Sequence, residues 1–548
     1  MKTVIIGGVA AGMSAATRLR RLDENAEIIV YERGPYVSFA NCGLPYYVGG
    51  VIADRSSLLL QTPASLGARF RIDVRVEHEV IAIDRVAHTV TVRAVATGDT
   101  TVESYDRLII AAGADGGTLA GDGTVPVRTL RTIDDVDAIT ARLDADSTAP
   151  VVVAGAGFIG LEAVENLAAR GLDVVLIQRG AHVLTPLDPE MVQPLHEHLT
   201  SRGVDVRTGA RVTAIADGHV ELSDGNRIAA QFVIDATGVR PATQLAAAAG
   251  LRLGASGGIA VDDAGRTSDP DVFAAGDGVE KTDAVTGTNG LVTMAGLANR
   301  NGRTVADVIV GRDEHHTPAL GTAIVAVMGM VLASTGWSEQ RLRAAGIPHR
   351  VIHTHPASHA TYYPGAEGMS IKLLVTPDTD AILGAQIVGG AGVDKRIDVI
   401  AVAIAGGITA TGLSRLELAY APQFGSAKDP INQVGYVADN LRTGATRSIQ
   451  WHELAGSERA LIDVRTAREF ASGAIPGAVN IPLDELRERL AELPDEGVIV
   501  HCQVGQRGHT AARILAAHGI DVVNLDGGYR TWSAGNAAVT RVRQEVAA

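Results

Sequence analysis

Two copies of a strand, a glycine turn and a helix, one opening the chain and one beginning at Val151, constrain the fold more than any other feature. In the first copy Thr3-Val4-Ile5-Ile6 runs into Gly7-Gly8-Val9-Ala10-Ala11-Gly12 and then into an apolar-periodic helix through Leu22. The next strand, Ile28-Ile29-Val30-Tyr31, ends at Glu32-Arg33. Glycines at such a turn let the backbone approach a pyrophosphate at a helix N-terminus, and the distal acid accepts hydrogen bonds from a ribose. Val9 stands where this fingerprint has its second glycine. The second copy is cleaner: Val151-Val152-Val153 leads into Gly155-Ala156-Gly157-Phe158-Ile159-Gly160 and a helix to Arg170. Its second strand, Val174-Val175-Leu176-Ile177, ends in Gln178-Arg179 and not in an acid. A neutral residue followed by arginine tolerates the 2′-phosphate of NADP, so NADPH is favoured over NADH, with use of both compatible.

At 548 residues the chain is too long for one core and should hold three or four domains. A formal charge of −14 argues against a nucleic-acid surface. No apolar run approaches the ~18 residues of a membrane span. Lys2 followed by Val4 to Met13 superficially resembles a signal peptide, but it reads better as strand, glycine turn and helix. Only two cysteines are present, so there is no disulfide framework, and a reducing cytoplasm is the expected location. Both lie in polar, glycine-containing loops: Ser38-Phe39-Ala40-Asn41-Cys42-Gly43-Leu44-Pro45 and Cys502-Gln503-Val504-Gly505-Gln506-Arg507. Two packing residues would not both fall in such loops, which points to sulfur chemistry.

A third segment, Thr267-Ser268-Asp269-Pro270-Asp271-Val272-Phe273-Ala274-Ala275-Gly276-Asp277, returns after the second fingerprint. With it the chain resembles the pyridine nucleotide-disulfide oxidoreductase family. The resemblance implies that Asp277 meets the ribityl chain of FAD. It also implies that Ala111-Ala112-Gly113 and Asp235-Ala236-Thr237-Gly238 are the two crossings between nucleotide domains. The expected fold class is α/β: two Rossmann-like dinucleotide-binding domains, an α+β dimerisation domain and a C-terminal α/β domain. The expected boundaries are an FAD domain over 1–117 and 247–316, split by an NAD(P)H domain over 118–246, then a dimerisation domain over 317–443. Cofactor-binding candidates are Gly7, Gly8, Ala10, Ala11, Gly12, Glu32, Arg33, Ala112, Gly113, Gly276 and Asp277, with Gly155, Gly157, Ile159, Gly160, Gln178, Arg179 and Gly238.

Disulfide reductases of this family usually carry two cysteines on the flavin helix, and here Cys42 has no companion in the first 501 residues. A lone thiolate attacks a disulfide or persulfide sulfur to give a mixed disulfide, or cycles through a sulfenic acid with peroxide. The partner sulfur must then come from outside this region, or the partner be an oxygen species. The loop around Cys42 resembles that of the coenzyme A-disulfide reductases, a one-cysteine branch. That likeness implies CoA contacts from Ser14, Arg18 and Arg21 on the first helix, from Ser38 and Asn41, and from Lys428. Arginines on one helical face suit the phosphates of CoA. A lysine used by some relatives near Phe70 is missing, with only Arg69 and Arg71 beside the position. His359-Ala360-Thr361-Tyr362-Tyr363 and Ala419-Tyr420-Ala421-Pro422 resemble the family's two tyrosine segments. By that likeness Tyr362 and Tyr420 of one protomer of a homodimer face the cysteine of its partner, where a phenol protonates a departing thiolate. NADH oxidases and peroxidases of the superfamily keep a histidine where this chain has Ala10, so that route is ranked lower.

After Thr443-Gly444-Ala445-Thr446, read as a linker, residues 448–540 resemble a single rhodanese domain. The markers, in order, are Leu461-Ile462-Asp463-Val464-Arg465, Glu469-Phe470, Gly473-Ala474-Ile475-Pro476-Gly477-Ala478, the loop Cys502 to Arg507, and Asp526-Gly527-Gly528-Tyr529. Backbone N–H groups of such a loop form an anion nest that stabilises a thiolate or persulfide. The expected activity is FAD- and CoA-dependent reduction of CoA disulfide, CoA persulfide or polysulfide by NAD(P)H. Cys42 is the attacking thiol, Cys502 with Arg507 a sulfane-sulfur carrier, and no metal is invoked. The competing readings are an oxidase or peroxidase, and a non-catalytic sulfur carrier or redox sensor.

Overall fold

The computed structural model describes residues 1–117, 119–143, 149–494 and 496–547. They form two compact units, Met1–Ile177 with Val212–Gly321, and Gln178–Arg211 with Thr322–Ala548. The stretch expected as one nucleotide domain, 118–246, is thus divided between the units.

In the first unit a parallel sheet runs in the order Val272–Ala274, Arg107–Ile110, Lys2–Ile6, Glu27–Tyr31, Asp73–Arg75. Val4 sits between Leu108 and Ile29 in register. Its strands read as continuous apolar runs because both faces are covered: Ile5 and Ile109 pack into one cluster, Val4 and Leu108 into another. The helix Ala10–Leu22 lies against the helix Ala295–Ile309 so closely that a Cβ on Gly302 would stand 2.1 Å from the Ala11 carbonyl. The strand Val151–Ala154 pairs in parallel with Val174–Gln178 on one side and Phe232–Asp235 on the other. The segments after the two expected crossings pair with each other, Ala114–Gly116 running antiparallel to Val239–Pro241.

In the second unit an antiparallel sheet runs Ala323–Val327, Met330–Gly336, Ile382–Gly389, Ser370–Val375, Arg350–Thr354. Helices Val393–Ala405 and Pro430–Arg442 share its apolar core through Ile397, Ile400, Ile431 and Val434. The C-terminal module is a parallel sheet in the order Ser448–Ile449, Val522–Leu525, Val498–His501, Ala460–Asp463, Val479–Asn480, with helices Gln506–Ala517 and Gly528–Ala547. The architecture is the expected α/β fold, with an α+β part built on the antiparallel sheet and a parallel α/β module at the C-terminal end. The connecting stretch differs from a free linker. Thr446 Oγ1 is 2.5 Å from His509 Nδ1, and Arg513 donates to the Ala445 carbonyl at 2.6 Å. Polar, glycine-containing composition is shared by flexible joints and by turns whose polar groups are satisfied locally.

Candidate active site

The first glycine turn is built for close approach. Gly7 has φ +103°, and a Cβ there would stand 2.3 Å from the Ala111 carbonyl oxygen; one on Gly12 would stand 1.9 Å from the Gly7 oxygen. Glu32, at the end of the second strand, accepts from the Gly8 and Gly34 N–H groups, both at 2.8 Å. Arg33 beside it is exposed, 3.9 Å from Glu79 and 3.8 Å from Asp115. Gly276, at φ +91°, brings the third segment against Ala11 and so places Asp277 beside the turn. Asp277 Oδ1 is buried without a partner. Burial holds its carboxyl above the usual carboxylate range, against the charges of Lys281 and Arg131. An enclosed acceptor with nothing to accept from, next to a glycine cradle, fits a hydroxyl-bearing dinucleotide. Lys281 was not foreseen: its ammonium donates to the Gly276 and Val279 carbonyls, and burial brings its pKa down to about 8.

The second turn repeats the first. A Cβ on Gly155 would stand 2.2 Å from the Ala236 oxygen, and one on Gly160 1.9 Å from the Gly155 oxygen. Gly157 faces open space, and Ile159 is exposed. This is a floor without a lid, as a bound pyrophosphate requires. Gly113 and Gly238, in the crossings, both take positive φ, +72° and +126°, and Ala112 is exposed. Gln178 ends its strand and Arg179 is exposed beyond it.

Cys42 stands on a short 3₁₀ turn, Asn41–Gly43, that leads into the helix Leu44–Val48. The loop is tied to the first glycine turn: Ser38, in the left-handed region at φ 49°, donates its N–H to the Gly8 carbonyl at 2.8 Å. Asn41 donates to the Arg131 carbonyl. Cys42 is exposed as a residue, yet enclosure of its sulfur pushes the thiol up, with the charges of Glu162 and Asp277 adding to the effect. Glu162 itself is raised by burial and accepts a hydrogen bond from the Tyr46 hydroxyl at 3.4 Å. Its helix is pressed on the Cys42 segment, since a Cβ on Gly49 would stand 2.0 Å from Asn166 Oδ1. Glu162 follows the second glycine turn directly in sequence, but nothing local marks it as a neighbour of the thiol.

The face assigned to CoA is less open than expected. Ser14 donates to Asn299, and Arg18 donates Nε and Nη2 to Asp307 at 3.0 and 2.6 Å, so both side chains turn to the Ala295–Ile309 helix. Arg21 remains exposed. The reason is tertiary: the helix that packs on this face supplies an acid where spacing alone showed only a basic surface.

In the second unit Tyr362 and Tyr420, far apart in sequence, meet with their hydroxyl oxygens 2.9 Å apart, both exposed. Lys428 is exposed too, its carbonyl accepting from Ser426 and Gln433. Cys502 departs from an open thiol. It is 0% exposed, among Ile462, Val464, Val500 and Ala511. The strand Val498–His501, buried throughout, delivers residue 502 into the core before the chain turns outward. Around it the loop is as expected: Gly505 at φ 90° starts the helix Gln506–Ala517, and a Cβ on Gly528 would press within 3.0 Å of the Val504 and Gly505 nitrogens. Arg507 is held bidentate by Glu469 at 2.8 and 2.6 Å, and this bond holds the Glu469 carboxyl down to about 2.

Comparison with known proteins matches three stretches of the chain. The description pyridine nucleotide-disulphide oxidoreductase matches residues 1–298, its dimerisation domain residues 322–429, and a rhodanese-like domain residues 449–535. The chain belongs to the pyridine nucleotide-disulphide oxidoreductase family, and is an oxidoreductase carrying a rhodanese module. The coenzyme A disulfide reductase of Staphylococcus haemolyticus is 34% identical over 80% of this chain and 100% of its own length. The reduced CoADR-RHD of Bacillus anthracis is 43% identical with a TM-score of 0.96, covering 98% of each chain. The NAD-dependent persulfide reductase of A. fulgidus is 37% identical with a TM-score of 0.90, over 97% of this chain and 100% of its own.

Proposed function

We propose that the protein uses NAD(P)H and FAD to reduce CoA disulfide, CoA persulfide or polysulfide. The observation that carries this is Cys42: an exposed residue on a turn bonded to the flavin-type glycine turn, with no second cysteine before residue 502. A lone thiol that has to exchange takes its partner sulfur from a diffusible molecule. The names of the similar proteins from S. haemolyticus and A. fulgidus support CoA disulfide and persulfide as that class.

Gly7, Gly8, Gly12, Glu32 and Asp277 would hold FAD, and Gly155, Gly157, Gly160, Gln178 and Arg179 would hold NAD(P)H. Gln178 in place of an acid, followed by Arg179, favours NADPH. When bound, the flavin passes two electrons from the nicotinamide to sulfur. On CoA disulfide or CoA persulfide the Cys42 thiolate attacks the CoA-bearing sulfur, forming a Cys42–CoA disulfide and releasing the other sulfur as a thiolate or hydrosulfide; a polysulfide enters by first exchanging with CoA thiol, giving CoA persulfide and a polysulfide one sulfur shorter. Two electrons then cleave that disulfide, returning the Cys42 thiolate and free CoA thiol. Glu162, beside Cys42, adds a negative charge that raises the thiol, with enclosure of the sulfur the larger cause. Tyr362 and Tyr420, facing Cys42 of the partner protomer in a homodimer, protonate the departing sulfur. Ser14, Arg21, Ser38, Asn41 and Lys428 make the polar surroundings of CoA, with Arg18 reaching it by its remaining Nη1. Cys502, in its N–H-lined loop, carries sulfane sulfur, and a tethered carrier makes persulfide at least as good a substrate as plain CoA disulfide.

Mass spectrometry of the untreated protein tests this reading. A CoA adduct on Cys42 is expected; a sulfenic or sulfinic oxygen adduct in its place would favour the peroxidase. Cys42→Ser that leaves sulfur-compound consumption intact would overturn the proposal.

A further inference from the structure

The last helix of the chain, Gly528–Ala547, carries an arginine that reaches outside its own module. Arg541 donates Nη1 to Thr208 Oγ1 at 2.7 Å, Nη2 to the Ala181 carbonyl at 3.0 Å and Nε to Gln193 Oε1 at 3.4 Å. Thr208 and Gln193 are both buried. A guanidinium is a planar fork with fixed donor directions, so three acceptors on three separate segments become one rigid junction. Those segments are the loop after Gln178-Arg179, the helix Pro189–Ser201 and the end of the strand Asp205–Thr208.

The loop is gripped from its other side as well. Just past Thr208, the Gly209 N–H donates to the Gly180 carbonyl at 3.0 Å and the Ala210 N–H to the Gln178 carbonyl at 3.3 Å. The carbonyls of residues 178, 180 and 181 are therefore all engaged, the first two by the segment Arg541 anchors through Thr208 and the third by Arg541 itself. Arg179 is the exposed side chain within this gripped stretch. Arg541 also lies beyond the rhodanese-like match, which ends at residue 535.

We propose that Arg541 is a positioning residue for nucleotide recognition, fixing the Gln178–Ala181 loop so that Arg179 is held ready for the ribose end of NAD(P)H. This rests on the reading of Gln178 and Arg179 as the residues that meet that end. The C-terminal module thereby takes part in choosing the electron donor.

The test is rapid-mixing reduction of the full-length flavoprotein by NADPH and by NADH, giving an apparent dissociation constant and a limiting rate for each. In Arg541→Ala the constant for NADPH is expected to rise on the order of 5-fold, more than that for NADH, with the limiting rate held within about twofold. Arg541→Lys, which keeps the charge and one donor, should recover part of the loss. A folded Arg541→Ala whose NADPH and NADH constants both match the parent overturns the inference. Should Arg541→Ala not fold, Thr208→Val, which removes one acceptor and keeps the shape, is expected to weaken NADPH in the same direction; no change there overturns it equally. Arg179→Ala separates the two levels. If it leaves NADPH binding untouched, the reading of the loop fails; if it weakens NADPH while Arg541→Ala does not, the positioning role alone fails.

Discussion

Tyr362 and Tyr420 stand 58 positions apart in sequence and share one hydrogen bond between their phenol oxygens at 2.9 Å while both side chains remain exposed. A phenol pair at a surface leaves one hydroxyl free to donate outward. The bond to Tyr420 also raises the Tyr362 phenol, keeping it a proton donor at neutral pH. Tyr362→Phe and Tyr420→Phe should each slow turnover of CoA disulfide or persulfide by roughly 10- to 100-fold, with flavin reduction by NADPH unchanged. The double variant should lose little more than either single one, because the pair acts as a unit. Steady-state and rapid-mixing kinetics on the same preparations check both statements.

Glu162 and Asp277 both add negative charge near Cys42, and with enclosure of the sulfur they hold the thiol above the ordinary cysteine range. The thiolate is then the minor form at neutral pH and grows as pH rises. Glu162→Gln removes one anion and should increase the rate of Cys42 alkylation by iodoacetamide roughly threefold near pH 8. Its pH–rate curve should shift to lower pH. An unchanged curve would separate Glu162 from the thiol.

Buried Lys372 lies 2.8 Å from Asp188 and 2.5 Å from Glu339, and it also bonds Glu190. Burial lowers its pKa, but the three carboxylates outweigh this and raise it overall. Lys372→Met would leave these acids enclosed without their counterion. A loss of about 3–5 kcal/mol of stability is expected from denaturant unfolding of the second unit.

His353 bridges the same cluster to the C-terminal module, with Nδ1 2.7 Å from Asp526 and Nε2 3.4 Å from Glu190. Burial opposes its charge, yet the bonds to Asp526 and Glu190 bring its pKa up to about 9, against an ordinary 6.5. A raised folded-state pKa means the stabilisation is complete below about pH 6.5 and fades as pH climbs through about 9. Melting temperature should fall across this window in the parent protein. His353→Gln should flatten that part of the profile.

Cys502 is the sulfur whose role is testable by substrate choice. Cys502→Ala should leave reduction of CoA disulfide near the parent rate while slowing turnover of persulfide or polysulfide on the order of 10-fold. Equal turnover of all three would remove the carrier role.

The features readable in the sequence are those encoded by short spacing. Gly7, Gly12, Gly155 and Gly160 are dictated by backbone approaches under 2.5 Å, which no other residue survives. The Cys502 loop and the flanking strands belong to the same class, since each follows from a run of a few residues. What escaped reading depends on partners distant in the chain. Arg18 looked like part of a free basic face until Asp307, 289 positions away, was brought against it. Lys372 sits in an apolar strand pattern, and its three acids come from two distant segments, Asp188 and Glu190 from one helix start and Glu339 from another. Glu162 shares a helix with nucleotide-turn residues and reaches the thiol only by packing. Burial of Cys502 was hidden for another reason: loop composition reports polarity along the chain and not depth beneath neighbouring side chains.

The grip of His509 and Arg513 on Ala445-Thr446 bears on how sulfur travels. A domain fastened at its own doorstep keeps its entry stretch as part of itself, so any carrier role for Cys502 starts from a braced loop and not from a loose string.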